Sequence, residues 1–253
     1  YFIANRSEKP VNGWIPLATT AQSAFLLDPM SGRTGVGAVR RSGSTAEVYL
    51  QLEPGASVIV RTLTTEQANG AAWAYRQATS GGGAVTGDWR VEFISGGPTL
   101  PPTFTTTSLG SWTRAGGAVE NFAGTARYAV TFDSPVPPGQ PAWLDLGKVS
   151  QSARIKLNGK SYGTLILSPF RVVADNLKPT GNQLEVEVAS TSANAIRYYD
   201  REGVAWKNFH DINFVNQDYK PFNAANWPVT DCGLLGPITV TAVEPLKLVE
   251  GGK

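Results

Sequence analysis

The sequence has 253 residues, 42% hydrophobic and 17% charged, with a formal net charge of +2. That length and apolar content suit one large and one small domain, and the near-balanced charge, spread without basic runs, excludes the phosphate-holding surfaces of nucleic-acid binders. A single His and a single Cys exclude an internal disulfide and a multi-His metal centre.

The chain opens on Tyr1-Phe2-Ile3-Ala4-Asn5, which reads as a strand already in progress, so a further part is expected ahead of it. No apolar stretch approaches the roughly 20 residues that span a bilayer, and no leader is recognised. Residues 1 to about 66 are expected to form a small β-domain. Asp28-Pro29-Met30-Ser31-Gly32 is a turn, because Asp bonds its own backbone, Pro fixes φ and Gly closes the bend. From Ala46 to Leu52 the chain alternates, with Val48, Leu50 and Leu52 on one face and Glu47, Tyr49 and Gln51 on the other. That period of two marks a half-buried strand. Glu53-Pro54-Gly55 turns the chain, and Ser57 to Leu63 returns beside it.

Residues 67–86 read as a linker, with an Ala-rich stretch from Gln67 to Gln77 and a flexible Ser80-Gly81-Gly82-Gly83. The second unit, 87–246, carries four clear alternating runs. Their apolar sets are Trp89, Val91 and Phe93; Tyr128, Val130 and Phe132; Ala153, Ile155 and Leu157; and Leu184, Val186 and Val188. The polar sets between them, Glu92, Glu185 and Glu187 included, face water. Asn158-Gly159 between two such runs signals a tight hairpin, since both residues tolerate positive φ. The expected fold class is all-β: an antiparallel β-sandwich of the jelly-roll type preceded by the smaller β-domain, with 247–253 as a tail. Trp89, Trp112 and Trp143 are expected to pack in the core or on a sheet face.

Residues 194–237 break the rhythm and read as a long, aromatic-rich, irregular excursion. Loops of that length in a compact domain are functional or packed against something. Trp206, Tyr219, Phe222 and Trp227 would form a stacking platform for a sugar, with Asn216, Lys220, Asn223 and Asp211 bonding its hydroxyls. Alternatively the segment packs on a neighbouring domain, and the alternation of aromatic, Asn and Asp residues suits either reading.

The second unit resembles the sugar-binding jelly-roll domain of family 2 glycoside hydrolases and their relatives. The resemblance is carried by Gly87-Asp88-Trp89-Arg90-Val91-Glu92-Phe93, Ala153-Arg154-Ile155-Lys156-Leu157-Asn158-Gly159 and Gly181-Asn182-Gln183-Leu184-Glu185-Val186. A closer resemblance is to family 106 α-L-rhamnosidases. It rests on Gly203-Val204-Ala205-Trp206-Lys207-Asn208-Phe209, Tyr219-Lys220-Pro221-Phe222-Asn223-Ala224 and Gly233-Leu234-Leu235-Gly236-Pro237, with Leu27 to Gly32 marking the first unit. The resemblance implies a galactose-binding-like jelly roll in a C-terminal, non-catalytic region of a secreted or periplasmic enzyme, whose catalytic machinery lies in a preceding barrel. No catalytic residue carries over, because no position here matches that machinery.

Independent chemistry finds little support. Glycoside hydrolysis needs two carboxyl groups about 5 to 9.5 Å apart, and most acidic residues here sit on alternating solvent faces. His210 and Asp211 are sequence neighbours whose side chains tend to diverge, and no Gly-x-Ser-x-Gly elbow is present. Cys232 reads as inert packing. No organic cofactor is expected. A Ca²⁺ ion would find oxygen donors near Asp211, Asn213, Asn216, Asp218 and Asp231, but their spacing matches no known loop, and turn capping is the simpler reading. The expected partners are the missing catalytic domain and a rhamnose-containing polysaccharide. A free-standing carbohydrate-binding module and a pure scaffold are the rival readings.

Overall fold

The computed structural model describes residues 1–208, 215, 217 and 219–248. Strands β1 (Phe2–Ala4), β2 (Val11–Leu17), β3 (Ser23–Leu27), β4 (Thr34–Gly37), β5 (Val39–Ser42), β6 (Thr45–Leu52) and β7 (Ser57–Leu63) build the first unit. They form two sheets, ordered β1-β7-β3-β4 and β2-β6-β5, with antiparallel pairing throughout. On β6 the alternation lands as expected: Val48, Leu50 and Leu52 are buried in one cluster with Leu26, Val58 and Val60 of the facing sheet. Each fully buried aliphatic side chain contributes about 1.5–3 kcal/mol relative to exposure. The turn at Asp28 forms through its carboxylate, which accepts the Met30 N–H at 2.9 Å, and Gly32 closes it with φ of 71°.

The stretch expected as a linker is ordered on both sides. Residues 71–75 lie along β4, where Val36 N–H donates to Ala71 O and Trp73 N–H to Val36 O, each at 2.8 Å. Tyr75 enters the first core, its hydroxyl donating to Tyr49 O at 2.9 Å and accepting the Ala38 N–H at 3.0 Å. Burial pushes that phenol up to about 12, with the Ala38 bond opposing it. Strand β8 (Arg76–Ala84) follows directly, so Ser80 to Gly83 are not a flexible hinge. Their glycines serve close approach: a Cβ on Gly82 would lie 2.6 Å from Val240 O on the neighbouring strand. Glycine lacks the side chain that would reveal strand alternation, which is why composition misleads here.

The second unit contains β9 (Trp89–Gly97), β10 (Phe104–Thr106), β11 (Ala123–Phe132), β12 (Ala142–Asp145), β13 (Lys148–Val149), β14 (Ser152–Leu157), β15 (Lys160–Leu165), β16 (Arg171–Ala174), β17 (Asn182–Ala189), β18 (Leu234–Gly236) and β19 (Thr239–Pro245). A six-stranded sheet, β10-β9-β11-β17-β14-β15, faces a four-stranded one, β16-β12-β19-β8, with a short β13-β18 pair beside them. The core joins the two faces: Val91, Ile155 and Val186 from one sheet, Leu144, Val240 and Ala242 from the other, with Trp89 and Trp112 fully enclosed. This is an antiparallel sandwich, as the alternation predicts. Trp143 packs half-buried on the opposite face of β12, with the Arg171 guanidinium 4.2 Å from its ring centroid.

The hairpin and the Gly-Asn turn that carry the family resemblance meet in space. Asn158 and Gly159 have φ of 49° and 82°, the conformation a tight two-residue hairpin requires. The Asn158 amide donates to Asn182 Oδ1 at 2.9 Å and to Asn176 O at 2.8 Å, and its oxygen accepts the Gln183 N–H at 2.9 Å. Asn182 is fully buried and donates to Lys178 O at 2.8 Å. On the outer face of the sheet, Arg127 bonds Glu187 at 2.9 Å and Lys156 reaches Glu185 at 3.5 Å. The acidic residues of the alternating runs are cross-strand partners of cations there.

The two units touch. Arg171 pairs with Glu53 at 2.8 Å, and a Cβ on Gly55 would lie 2.9 Å from Ser168 O. Past β19, Leu246 N–H donates to Tyr75 O at 3.0 Å, and Leu246 and Leu248 pack on the first core. Of the segment expected as a tail, 247–253, residues 247 and 248 are described, and Leu248 packs on the first core.

Candidate functional site

The excursion starts as a helix, which its mixed polar and aromatic composition had concealed. Helix α1 (Ala193–Glu202) ends at Gly203 in the left-handed conformation, φ 66°, where Val204 N–H reaches back to Tyr199 O at 2.9 Å. Asn194 in its first turn is buried and clamps the returning chain. Its amide donates to Thr230 O at 2.8 Å and its oxygen accepts the Thr230 N–H at 2.9 Å. In the middle of the helix, Arg197 bonds Trp227 O at 3.0 Å and Glu120 at 3.2 Å.

Asp200, which no motif in the sequence singles out, organises the loops. Its side chain is 6% exposed. One carboxylate oxygen accepts the Trp206 indole N–H at 2.8 Å and approaches Lys207 Nζ at 3.0 Å; the other accepts the Ala224 N–H at 2.7 Å. Burial is the largest single influence on this carboxyl and would raise its pKa. The three donors together outweigh it and hold the group below the usual carboxylate range. Lys207 Nζ also donates to Phe222 O at 2.8 Å. One carboxylate and one ammonium thus tie residues 200–207 to residues 222–224.

The lock positions part of the expected aromatic set. Phe222 stands edge-on to Trp206 (centroids 6.1 Å apart) and to Trp227 (5.4 Å). Trp206 and Phe222 are half-buried, and Trp227 keeps 40% of its surface open. The Trp206 N–H is committed to Asp200, so any sugar contact by that ring uses its face or edge. Tyr219 is 79% exposed with φ of 56°, and Lys220 and Asn223 are exposed. The Asn223 oxygen caps the Ala225 N–H at 2.8 Å. Asn216 and the proposed Ca²⁺ donors Asp211, Asn213 and Asp218, with His210, lie outside the described residues. Among the described residues no group of three or more His, Cys, Asp and Glu is placed to hold a metal. A small cleft of about 350 Å³ is lined by Tyr199, Asp200, Trp206, Lys207 and Asn223.

The base of the excursion is fixed by packing. Cys232 is buried, bonded to Thr230 O at 3.3 Å and approached by the Asn194 amide at 3.4 Å, and desolvation raises its thiol above the ordinary range. Gly233 has φ of 106°, and a Cβ there would run into the Tyr128 hydroxyl and come within 2.8 Å of the Trp112 ring. No helix among the described residues is long and apolar enough to cross a membrane.

No family model matches the chain. A putative beta-glucuronidase of Formosa agariphila is 31% identical over 185 residues, 63% of this chain and 15% of that protein. The structure of a rhamnosidase from Novosphingobium sp. PP1Y aligns over 96% of this chain and 22% of its own length, with a TM-score of 0.72 and 25% identity. A β-galacturonidase of Eisenbergiella tayi aligns over 66% of the chain at 16% identity and a TM-score of 0.40. The chain is therefore a β-domain region related to glycoside hydrolases. It spans 15% of the curated relative and 22% of the rhamnosidase, as an accessory region would.

Proposed function

We propose that the chain is a non-catalytic accessory region of a secreted or periplasmic α-L-rhamnosidase. In this reading the excursion, held by Asp200, packs on the catalytic barrel and helps hold a rhamnose-containing polysaccharide. The observation that carries it is the match to the Novosphingobium rhamnosidase, which runs through 96% of this chain and leaves most of that enzyme unaccounted for. Residues of the family 106 resemblance, Trp206, Lys207, Phe222 and Gly233, hold structural posts in the excursion, which supports the same reading. The place outside the cytoplasm is supported by the substrate class, since polysaccharides of this kind lie outside the cell.

The test is incubation of the purified chain with a nitrophenyl α-L-rhamnoside. No release of nitrophenolate above the blank is expected. Turnover that disappears when one of the chain's own carboxylates is replaced would overturn the proposal. A free-standing carbohydrate-binding module is the second reading, favoured by the openness of Trp227. Calorimetry against rhamnogalacturonan separates the two: binding by the isolated chain that Trp227→Ala weakens by about 1–3 kcal/mol, on the scale of aromatic stacking on nucleobases, supports the module. No heat at millimolar sugar removes it.

A further inference from the structure

A cavity of about 810 Å³ opens between the two units, within the size range of small-ligand sites. None of its lining residues belongs to the excursion. Its first wall comes from the Asp28 turn, the end of β6 and residues Trp73 and Arg76; its second comes from Trp143, the chain after β15 and Arg171. Three guanidinium groups line it, and they are not equivalent. Arg171 is neutralised by Glu53 at 2.8 Å and lies over Trp143. Arg33 sits 3.9 Å from the Trp73 ring centroid. Neither Arg33 nor Arg76 takes part in an ion pair among the described residues. Arg76 Nε is buried without a hydrogen-bond partner.

The acid nearest in effect to Arg33 is Asp28, whose oxygens are engaged by the Met30 N–H at 2.9 Å and the Ser31 hydroxyl at 2.6 Å. Arg33 is shifted down from its ordinary pKa first by desolvation and further by the Arg76 charge, against the pull of Asp28. Asp28 more than offsets the Arg76 repulsion at Arg33, so the demand left unmet in the cavity is the buried Arg76 Nε–H, a donor without a partner beside a second guanidinium. The planar fork of Arg suits a carboxylate, and an indole packed on that fork restricts its motion.

We propose that this interdomain cavity binds a carboxylate-bearing sugar, a uronic acid residue within a glycan, through Arg33 and Arg76. The sugar is favoured over other carboxylates because Trp73 and Trp143, each with one ring face covered by a guanidinium, still line the cavity and offer its C–H groups the remaining apolar ring surface, and because the chain is related to glycoside hydrolases. The site is separate from the aromatic excursion and stands whether or not the excursion contacts sugar.

The experiment is calorimetric titration of the 253-residue chain at low salt with trigalacturonic acid, with its methyl ester and with an acidic tripeptide. The free acid is expected to bind at least about tenfold more tightly than the ester, and Arg33→Gln and Arg76→Gln each to weaken it by about tenfold, the scale of a charge-assisted pair. Trp227→Ala is expected to leave it unchanged. Should Arg76→Gln unfold the chain, Arg33→Gln on the exposed turn and acid-dependent shifts of the Trp73 and Trp143 indole NMR signals still decide the matter. Absence of binding, equal binding of acid and ester, or unaltered affinity in Arg33→Gln overturns the site. Equal or tighter binding of the peptide overturns its assignment to a sugar.

Discussion

Replacing Asp200 by Ala removes the acceptor that joins the end of α1 to two loops. Three donors lose their partner: the Trp206 indole, the Ala224 amide and the Lys207 ammonium. A buried donor left unpaired costs about 1–3 kcal/mol. The ammonium recovers most of its solvation, being 31% exposed and retaining the Phe222 carbonyl, so its loss is discounted. The Ala224 amide and the Trp206 indole carry the remainder, and partial rehydration of the loop brings the sum to about 2 kcal/mol of local stability. Hydrogen exchange reads this directly: the Ala224 amide should exchange about 30-fold faster in Asp200→Ala, with strand amides of β11 and β17 unchanged. Asp200→Asn keeps an acceptor and should lose less. The pH dependence has a definite sign. The folded-state pKa is depressed, so the contribution is complete above the ordinary carboxylate value of about 3.9 and is lost as pH falls through the lowered folded value. Unchanged exchange at Ala224 in Asp200→Ala would refute the lock.

Two further substitutions or labels probe the frame beneath the excursion. Gly233→Ala must place a methyl against the Tyr128 hydroxyl and the Trp112 ring at a positive φ, and should cost about 3 kcal/mol, or a fall in Tm of roughly 6–12 °C; a fall of a degree or less would contradict the packing. Cys232, buried and with its thiol shifted up, should resist iodoacetamide at pH near 8 in the native chain and react once denaturant is added. Native labelling at the rate of a free thiol would show that the base of the excursion opens.

The strands were legible because side chains alternate in them. Val48, Leu50 and Leu52, or Leu184, Val186 and Val188, announce which face is buried before any partner is known. Strand β8 was not, since glycines cannot report a face, and what demands them is the backbone of β19 across the sheet. Helix α1 was hidden for a different reason: its apolar face, Ala195, Ile196 and Tyr199, spans too few turns to stand out within the excursion, and its buried residues are Asn194 and Ala195. The aromatic cluster of the excursion could be read from composition, and Trp206, Phe222 and Trp227 do come together. Its Asp200 hub could not, because its partners lie 6, 7 and 24 positions away and belong to no repeating geometry. The arginine cavity is likewise invisible in sequence, since it is assembled from both units and from stretches as far apart as Phe2, Asp28, Arg76 and Arg171.

The intact mass and encoded sequence of the source protein decide whether these β-domains serve a rhamnosidase. A polypeptide several times longer than this chain, with a catalytic barrel ahead of Tyr1, is expected. A source protein consisting of these β-domains alone, or joined to a domain with no glycosidase chemistry, would contradict it.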